Sequence, residues 1–330
     1  MRASGASRKA LEFYLKEYAD RQLIERRPRI GIIRTAGHGR KIYDLVACRD
    51  DGYVEDPCPN FLTETVQLLI ATGAEKDYQI RVHSVPKTDS VERYVQISQL
   101  HDSDGFILLL PNMAGIITLF QRTGKAVVAV FPEGIFPQVD QIFTATGSME
   151  MQLRHLHDLG HRRILYMREE YLYDQVMTLL GRRLDYYRFM ARHHLEVPEH
   201  WCSEYPQGGL ETALRKTFGK APCPTALIVY DRSVKTVYDF LRKHQFKIGC
   251  DVSVLATDGD KLLGELDPPV TTVVSHAMQT VHGVWALLEK QHRGDHTPQQ
   301  MEVMLTFRQG RSDGPPPKYP LIPTGEEALP

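Results

Sequence analysis

The chain lacks the features that would commit it to an oxidising compartment, a membrane or a polyanion. Its five cysteines, Cys48, Cys58, Cys202, Cys223 and Cys250, are odd in number and contain no close pair. That excludes a disulfide framework and a zinc knuckle and leaves reduced thiols. Forty Lys and Arg against forty-one Asp and Glu give a formal charge of -1, so no global field draws the protein to nucleic acid or to an anionic bilayer. No uninterrupted apolar run is long enough to span a bilayer, and the opening MRASGASRKALEFYLKEY carries charge where a signal peptide needs an apolar core. The expected location is therefore the cytoplasm. Catalytic signatures are missing as well. There is no Gly-x-Ser-x-Gly, Walker or metalloprotease motif, and Gly37-His38-Gly39 is only a fragment of a dinucleotide fingerprint. No enzymatic activity and no cofactor are expected.

What is present is the pattern of an α/β protein. With 330 residues, 42% of them hydrophobic and 25% charged, the chain can bury a large core and make about two domains. Short apolar runs bounded by Gly, Pro and Asp occur at Ile30 to Ile33, Gly105 to Leu110, Ala126 to Phe131, Arg163 to Met167, Thr225 to Tyr230 and Val252 to Thr257. Such runs are typical of parallel strands buried on both faces. Between them lie helical spacings, for example Val234, Val237, Tyr238 and Leu241, or Met278, Val281, Val284, Trp285 and Leu288. About ten strands exceed one comfortable sheet, so two lobes are expected, with a crevice at the carboxyl ends of the strands. Residues 1–28 read as a helix or linker, residues 34–59 as a long irregular segment after the first strand, and residues 313–330, rich in Pro and Gly, as a disordered tail.

The stretch RHLHDLGHRRILYM, residues 154–167, packs three histidines and three arginines into fourteen residues. A metal site, a basic patch and a helix handing over to a strand all have to be weighed. Met149, Leu153, Leu156 and Leu159 form one apolar helical stripe, and Gly160 supplies the stop. His155 and His157, two residues apart, point roughly 200° from one another on a helix. The stretch is thus expected to be a helix-to-strand joint.

As a phrase, HLHDLGHRRILYM resembles the joint that opens the second lobe of LacI/GalR-type repressor sensor domains. HDSDGFILLLP, GRRLDYYRFM, PTALIVYDRSVKTVYDFLRKHQFKIGCDVSVLATDGD and DPPVTTVVSHAMQTVHGVWALLEK are similar to further phrases of that family, in the same order, over about residues 29–312. The resemblance implies an α/β fold of two doubly wound parallel-sheet lobes joined by three crossovers, the periplasmic-binding-protein-like type I architecture. Lobe 1 would comprise residues 29–143 plus 275–306, and lobe 2 residues 144–274 plus 307–312.

It also implies a small sugar-like effector in the inter-lobe cleft and a homodimer. A sugar suits a carboxylate that accepts two hydrogen bonds, an arginine fork and an aromatic face. Arg183 matches the family's ligand-contacting arginine, and Asp258 stands where the family has a cleft aspartate. Asp231 follows the strand, but the family's Asn-Asp is here Tyr230-Asp231, and Tyr230 offers stacking or a hydroxyl instead. Asn60 and Phe61 match a first-lobe loop, Thr144 lies near one crossing and Ser275 at another. Structural roles compete at each position: Arg183 as a surface arginine, Asp231 as a helix cap, Asp258 as a turn residue and Phe61 as core.

Members of the family usually begin with a helix-turn-helix that enters the major groove. This sequence shows none, so DNA contact is expected only through a head domain outside this chain. The competing functions are a solute-binding protein of a transport or chemoreceptor system, and an enzyme on a two-lobed scaffold.

Overall fold

The computed structural model describes residues 24–27, 31–34, 40–50, 61–86, 91–111, 113–132, 134–144, 147–169, 176–198, 201–205, 209–257 and 261–322. It opens with an antiparallel pair, β1 (Ile24–Arg27) and β2 (Gly31–Arg34). The first sheet is built from β3 (Ile42–Asp50), β4 (Gln79–Pro86), β5 (Gly105–Leu109), β6 (Ala126–Val130), β7 (Asp140–Thr144) and, far along the chain, β13 (Gln300–Val303). Its order is β13-β7-β6-β5-β3-β4 and every pairing is parallel. β5 and β6 are buried along their whole length, as strands covered on both faces must be.

Helices α1 (Phe61–Glu75) and α8 (Ala277–His292) cover one face, where Leu69, Val281, Trp285 and Leu288 pack with Tyr43, Leu45 and Ile107. Helices α2 (Val91–Ser98) and α3 (Ala114–Gln121) cover the other, with Tyr94, Ile97, Ile117 and Phe120 against Val46, Phe106 and Leu108. The Trp285 indole donates to Thr72 Oγ1 at 2.8 Å and ties α8 to α1.

The second sheet contains β8 (Ile164–Glu169), β9 (Cys202–Tyr205), β10 (Ala226–Tyr230), β11 (Ser253–Thr257), β12 (Thr271–Ser275) and β14 (Leu305–Arg308), in the order β14-β12-β11-β10-β8-β9. Only β14 runs antiparallel to its neighbour. Helices α4 (Ser148–Asp158) and α5 (Val176–Arg192) supply Met149, Leu153, Tyr186 and Phe189 to one face. Helices α6 (Leu210–Phe218) and α7 (Asp231–Lys243) supply Leu214, Phe218, Val237 and Leu241 to the other. Both sheets are therefore doubly wound, as the alternation of runs and helical spacings requires.

The chain leaves the first sheet after Thr144, returns to it after Ser275, and crosses a third time at Met304, between β13 and β14. By sheet membership the third crossing thus falls two residues before the expected boundary at 306.

Three expectations need correction. The run Ile30 to Ile33 does not open the first sheet: Gly31–Arg34 pairs with Ile24–Arg27, and β3 opens the sheet instead. Ile24–Arg27 is accordingly extended rather than helical, while residues 1–23 lie outside the described residues. β3 falls within the supposed irregular segment 34–59 because Asp44 interrupts its apolar run. That carboxylate is fully buried, and Arg81 donates to its two oxygens through Nε and Nη2 at 2.8 and 2.7 Å, with His83 Nε2 at 2.6 Å.

The third correction concerns the tail. Residues 309–316 are fastened to lobe 2: Val254 N–H donates to Ser312 O at 2.8 Å, His161 Nε2 donates to Gly314 O at 2.8 Å, and Asp313 accepts from Thr271 Oγ1. A Pro- and Gly-rich composition is disordered only where its backbone finds no partners. Here it finds them along β11 and β12.

Burial alone would raise the Asp44 pKa, but the hydrogen bonds from His83 and Arg81 outweigh it and hold the carboxyl at about 2. An unfolded aspartate titrates near ~3.9. The stabilisation is therefore complete above about pH 4 and is lost as pH falls toward the folded value. We expect Asp44→Asn to cost about 3 kcal/mol at neutral pH and to show a shallower loss of stability than the wild type across that acid window. Urea unfolding at a series of pH values measures both, and equal slopes would remove Asp44 as the acid-sensitive group.

Candidate functional site

In parallel α/β sheets ligands bind beyond the carboxyl ends of the strands. In the second sheet those ends carry Tyr230 on β10, Thr257 on β11 and Ser275 on β12. The first two meet Arg182 of α5, which is only 7% exposed. Its Nη1 donates to Ser148 Oγ at 3.0 Å, and its Nη2 to Gln152 Oε1 at 3.1 Å and to Thr257 Oγ1 at 2.6 Å. The guanidinium carbon lies 5.0 Å from the centroid of the Tyr230 ring, a cation-π contact. Gln152 is itself fixed, donating to Ala256 O at 2.7 Å. One side chain thus fastens the first turn of α4, α5 and the ends of β10 and β11.

The phase of α5 explains why Arg182 holds this place and Arg183 does not. Tyr186, Phe189 and Met190 are core residues, and Arg182 precedes Tyr186 by one turn on the same face. Arg183 shares its phase with Tyr187, which is 45% exposed. Burial and the neighbouring Cys202 raise the Tyr187 hydroxyl pKa, and Arg183 partly offsets them. The apolar pair Phe189-Met190 carries this phase in the sequence.

Of the other sequence-predicted residues, Tyr230 is half-buried beside Arg182, Ser275 is half-buried where β12 ends, and Thr144 is exposed where β7 ends. Ser275 pairs with Leu305 and Thr144 with Val303, so both border the crossings. Asp231 and Phe61 are the first residues of α7 and α1. Asn60 and Asp258 lie outside the described residues. Sequence reasoning passed over Arg182, Gln152, Ser148 and Thr257.

The histidines of residues 154–167 separate as helical geometry requires. His155 Nε2 meets Asp313 Oδ2 at 2.7 Å, the His157 ring packs 4.4 Å from that of His193, and His161 is buried. His161 Nδ1 lies 2.9 Å from Thr225 Oγ1, which donates to it because Nε2 carries the proton for Gly314 O. Among the described residues no three His, Cys, Asp or Glu side chains converge on a metal position. A groove of about 500 Å³ on the outer side of α4, lined by Gly147, Glu150, Met151, Arg154, His155, Asp158 and Phe307, contains none of the predicted ligand residues.

Residues 153–312 match the family described as "Periplasmic binding protein-like domain". No curated protein matches the sequence. Among solved structures, a complex of the transcriptional regulator CelR with cellobiose is 18% identical, with a TM-score of 0.68 over 94% of this chain and 92% of that one. A LacI family transcriptional regulator from Enterococcus faecium with bound ribose is 15% identical, with a TM-score of 0.67 over 83% and 99%. The lac repressor dimer bound to operator and the anti-inducer ONPF is 13% identical, with a TM-score of 0.68 over 84% and 96%. The fold of the chain is thus the one seen in these regulators. The matched family is one of binding proteins, and these three structures are regulators, not enzymes. Among the described residues no helix is long and apolar enough to cross a membrane.

Replacing Arg182 by Ala removes the nearest donor to the buried oxygens of Gln152 and Thr257 and leaves them only the long contacts between these two side chains at 3.4 and 3.5 Å. We expect a loss of about 2 kcal/mol in urea unfolding. Arg183→Ala should stay within about 0.5 kcal/mol, since it removes a half-exposed side chain. Equal losses would show that Arg182 is not the fastening point.

Proposed function

We propose that the protein is the ligand-sensing part of a LacI/GalR-like transcriptional regulator. A small sugar-like molecule binds in the cleft between the lobes, and a homodimer passes the change to DNA-reading heads outside the described residues. The observation that carries this reading is the polar cluster around Arg182 at the carboxyl ends of β10 and β11, where this fold places its ligand. The cellobiose and ribose in two structurally similar regulators support the ligand class. Asp258, Asp231, Tyr230 and Arg183 from lobe 2, with Asn60 and Phe61 from lobe 1 and Thr144 and Ser275 at crossings, complete the proposed set.

Binding to the folded state alone raises apparent stability, by about 2.7 kcal/mol at a ligand concentration one hundred times Kd. A thermal-shift screen of sugars and nucleosides is expected to produce a clear rise in Tm with at least one carbohydrate. Asp258→Ala should remove that rise while leaving the unliganded Tm nearly unchanged. Sedimentation equilibrium should give a dimer. A screen without any response would refute the sugar-sensor reading, and a monomer that binds sugar would favour a solute-binding protein.

A further inference from the structure

On the reading that the cleft takes a carbohydrate, we propose that Tyr230 is its specificity-determining surface in lobe 2, and that Arg182 is a positioning residue that sets the Tyr230 ring rather than a ligand contact. The effector is then a ring sugar whose C–H face stacks on tyrosine, as opposed to an open-chain polyol with the same hydroxyls.

The argument starts from how Arg182 spends its donors. Nη1 is directed at Ser148 and Nη2 at both Gln152 and Thr257, all within 3.1 Å, and the side chain is 7% exposed. A guanidinium holds its donors in one plane, so fixing two nitrogens fixes the orientation of the whole group. That plane is stationed 5.0 Å from the Tyr230 centroid. It occupies one face of the ring and restricts the side-chain torsions that a half-buried tyrosine at a strand end would otherwise explore.

The ring also packs against the core cluster of the second lobe and keeps partial exposure at the carboxyl end of β10, where this fold binds its ligand. A preset aromatic face favours a flat, C–H-lined ring, because no conformational freedom is lost when it stacks. An alditol has the hydroxyls of its parent sugar without a fixed ring to present.

The test uses ribose, xylose and glucose, each against its own open-chain alditol, by isothermal titration on the full chain. At least one sugar should bind at least about threefold to tenfold more tightly than its alditol, the range of one aromatic contact. Tyr230→Phe should keep that preference and Tyr230→Leu should abolish it. Arg182→Met should also abolish it, and Arg182→Lys, which keeps the cation, should restore part of it.

Tyr230→Trp supplies a signal that loss of stability alone does not produce. Its emission should shift and its acrylamide quenching should rise when Arg182→Met is added to the folded protein. A sugar and its alditol binding equally, or Tyr230→Leu retaining the preference, would overturn this inference and leave the sensor reading intact. Trp emission unchanged by Arg182→Met would overturn the positioning role. Failure of all six probes to bind would overturn the inference together with the carbohydrate reading beneath it.

Discussion

One extended segment, Gln300–Arg308, belongs to both sheets. Val303 pairs with Thr144 in the first, Leu305 pairs with Ser275 in the second, and Met304 alone lies between them. Each half is also anchored by buried polar groups. In lobe 1, Asp140 accepts from Gln299 N–H at 2.6 Å, from Lys290 Nζ at 2.8 Å and from Gln291 Nε2 at 2.7 Å. In lobe 2, Ser312, Asp313 and Gly314 continue the segment into the hydrogen bonds of β11, β12 and His161. Backbone groups on both sides of Met304 are thus committed to different ladders. Rotation of one lobe against the other must be absorbed at Met304 and at the two other crossings, which is how a hinge of few residues arises.

The buried charges follow the same logic. A charge taken out of water costs several kcal/mol unless geometry and further hydrogen bonds compensate it. Three such charges are placed where an element would otherwise be loosely held. Asp44 secures the edge strand β4 through Arg81 and His83, and Arg81 reaches on to Asp102 at 2.7 Å. Asp140 secures α8 and β13 to β7. Arg182 secures the rim of the second sheet. Each replaces what apolar packing supplies elsewhere, and each also fixes direction, which packing does less well.

Legibility in the sequence tracked this division. The runs at Gly105, Ala126, Arg163, Thr225 and Val252 were readable as strands because burial on both faces requires mostly apolar side chains, and no charge interrupts them. β3 was not, because Asp44 sits in its middle and its partners lie 37 and 39 residues away. The fastening of residues 309–316 was illegible for a related reason: it consists of backbone groups meeting side chains of Ser253, His161 and Thr271, and composition carries no record of such meetings. At the site, type was readable and phase was not. An arginine beside the aromatic-rich start of α5 could be recognised, whereas the choice between Arg182 and Arg183 depends on which face Phe189 and Met190 bury.

That difference of one residue alters how the site connects to the hinge. Arg183 would touch a ligand from the flank of α5 and end there. Arg182 links the Tyr230 ring to Ser148, the first residue of α4, which follows the crossing that begins after Thr144. Two contacts therefore separate the end of β10 from the end of that crossing. Packed interiors transmit such displacements because they have few voids to absorb them, and the guanidinium plane cannot tilt at Tyr230 without moving its donors at Ser148 and Thr257. On the proposed reading, recognition and lobe movement share one side chain, so a substitution at 182 alters both affinity and the response to binding, whereas one at 230 alters affinity first.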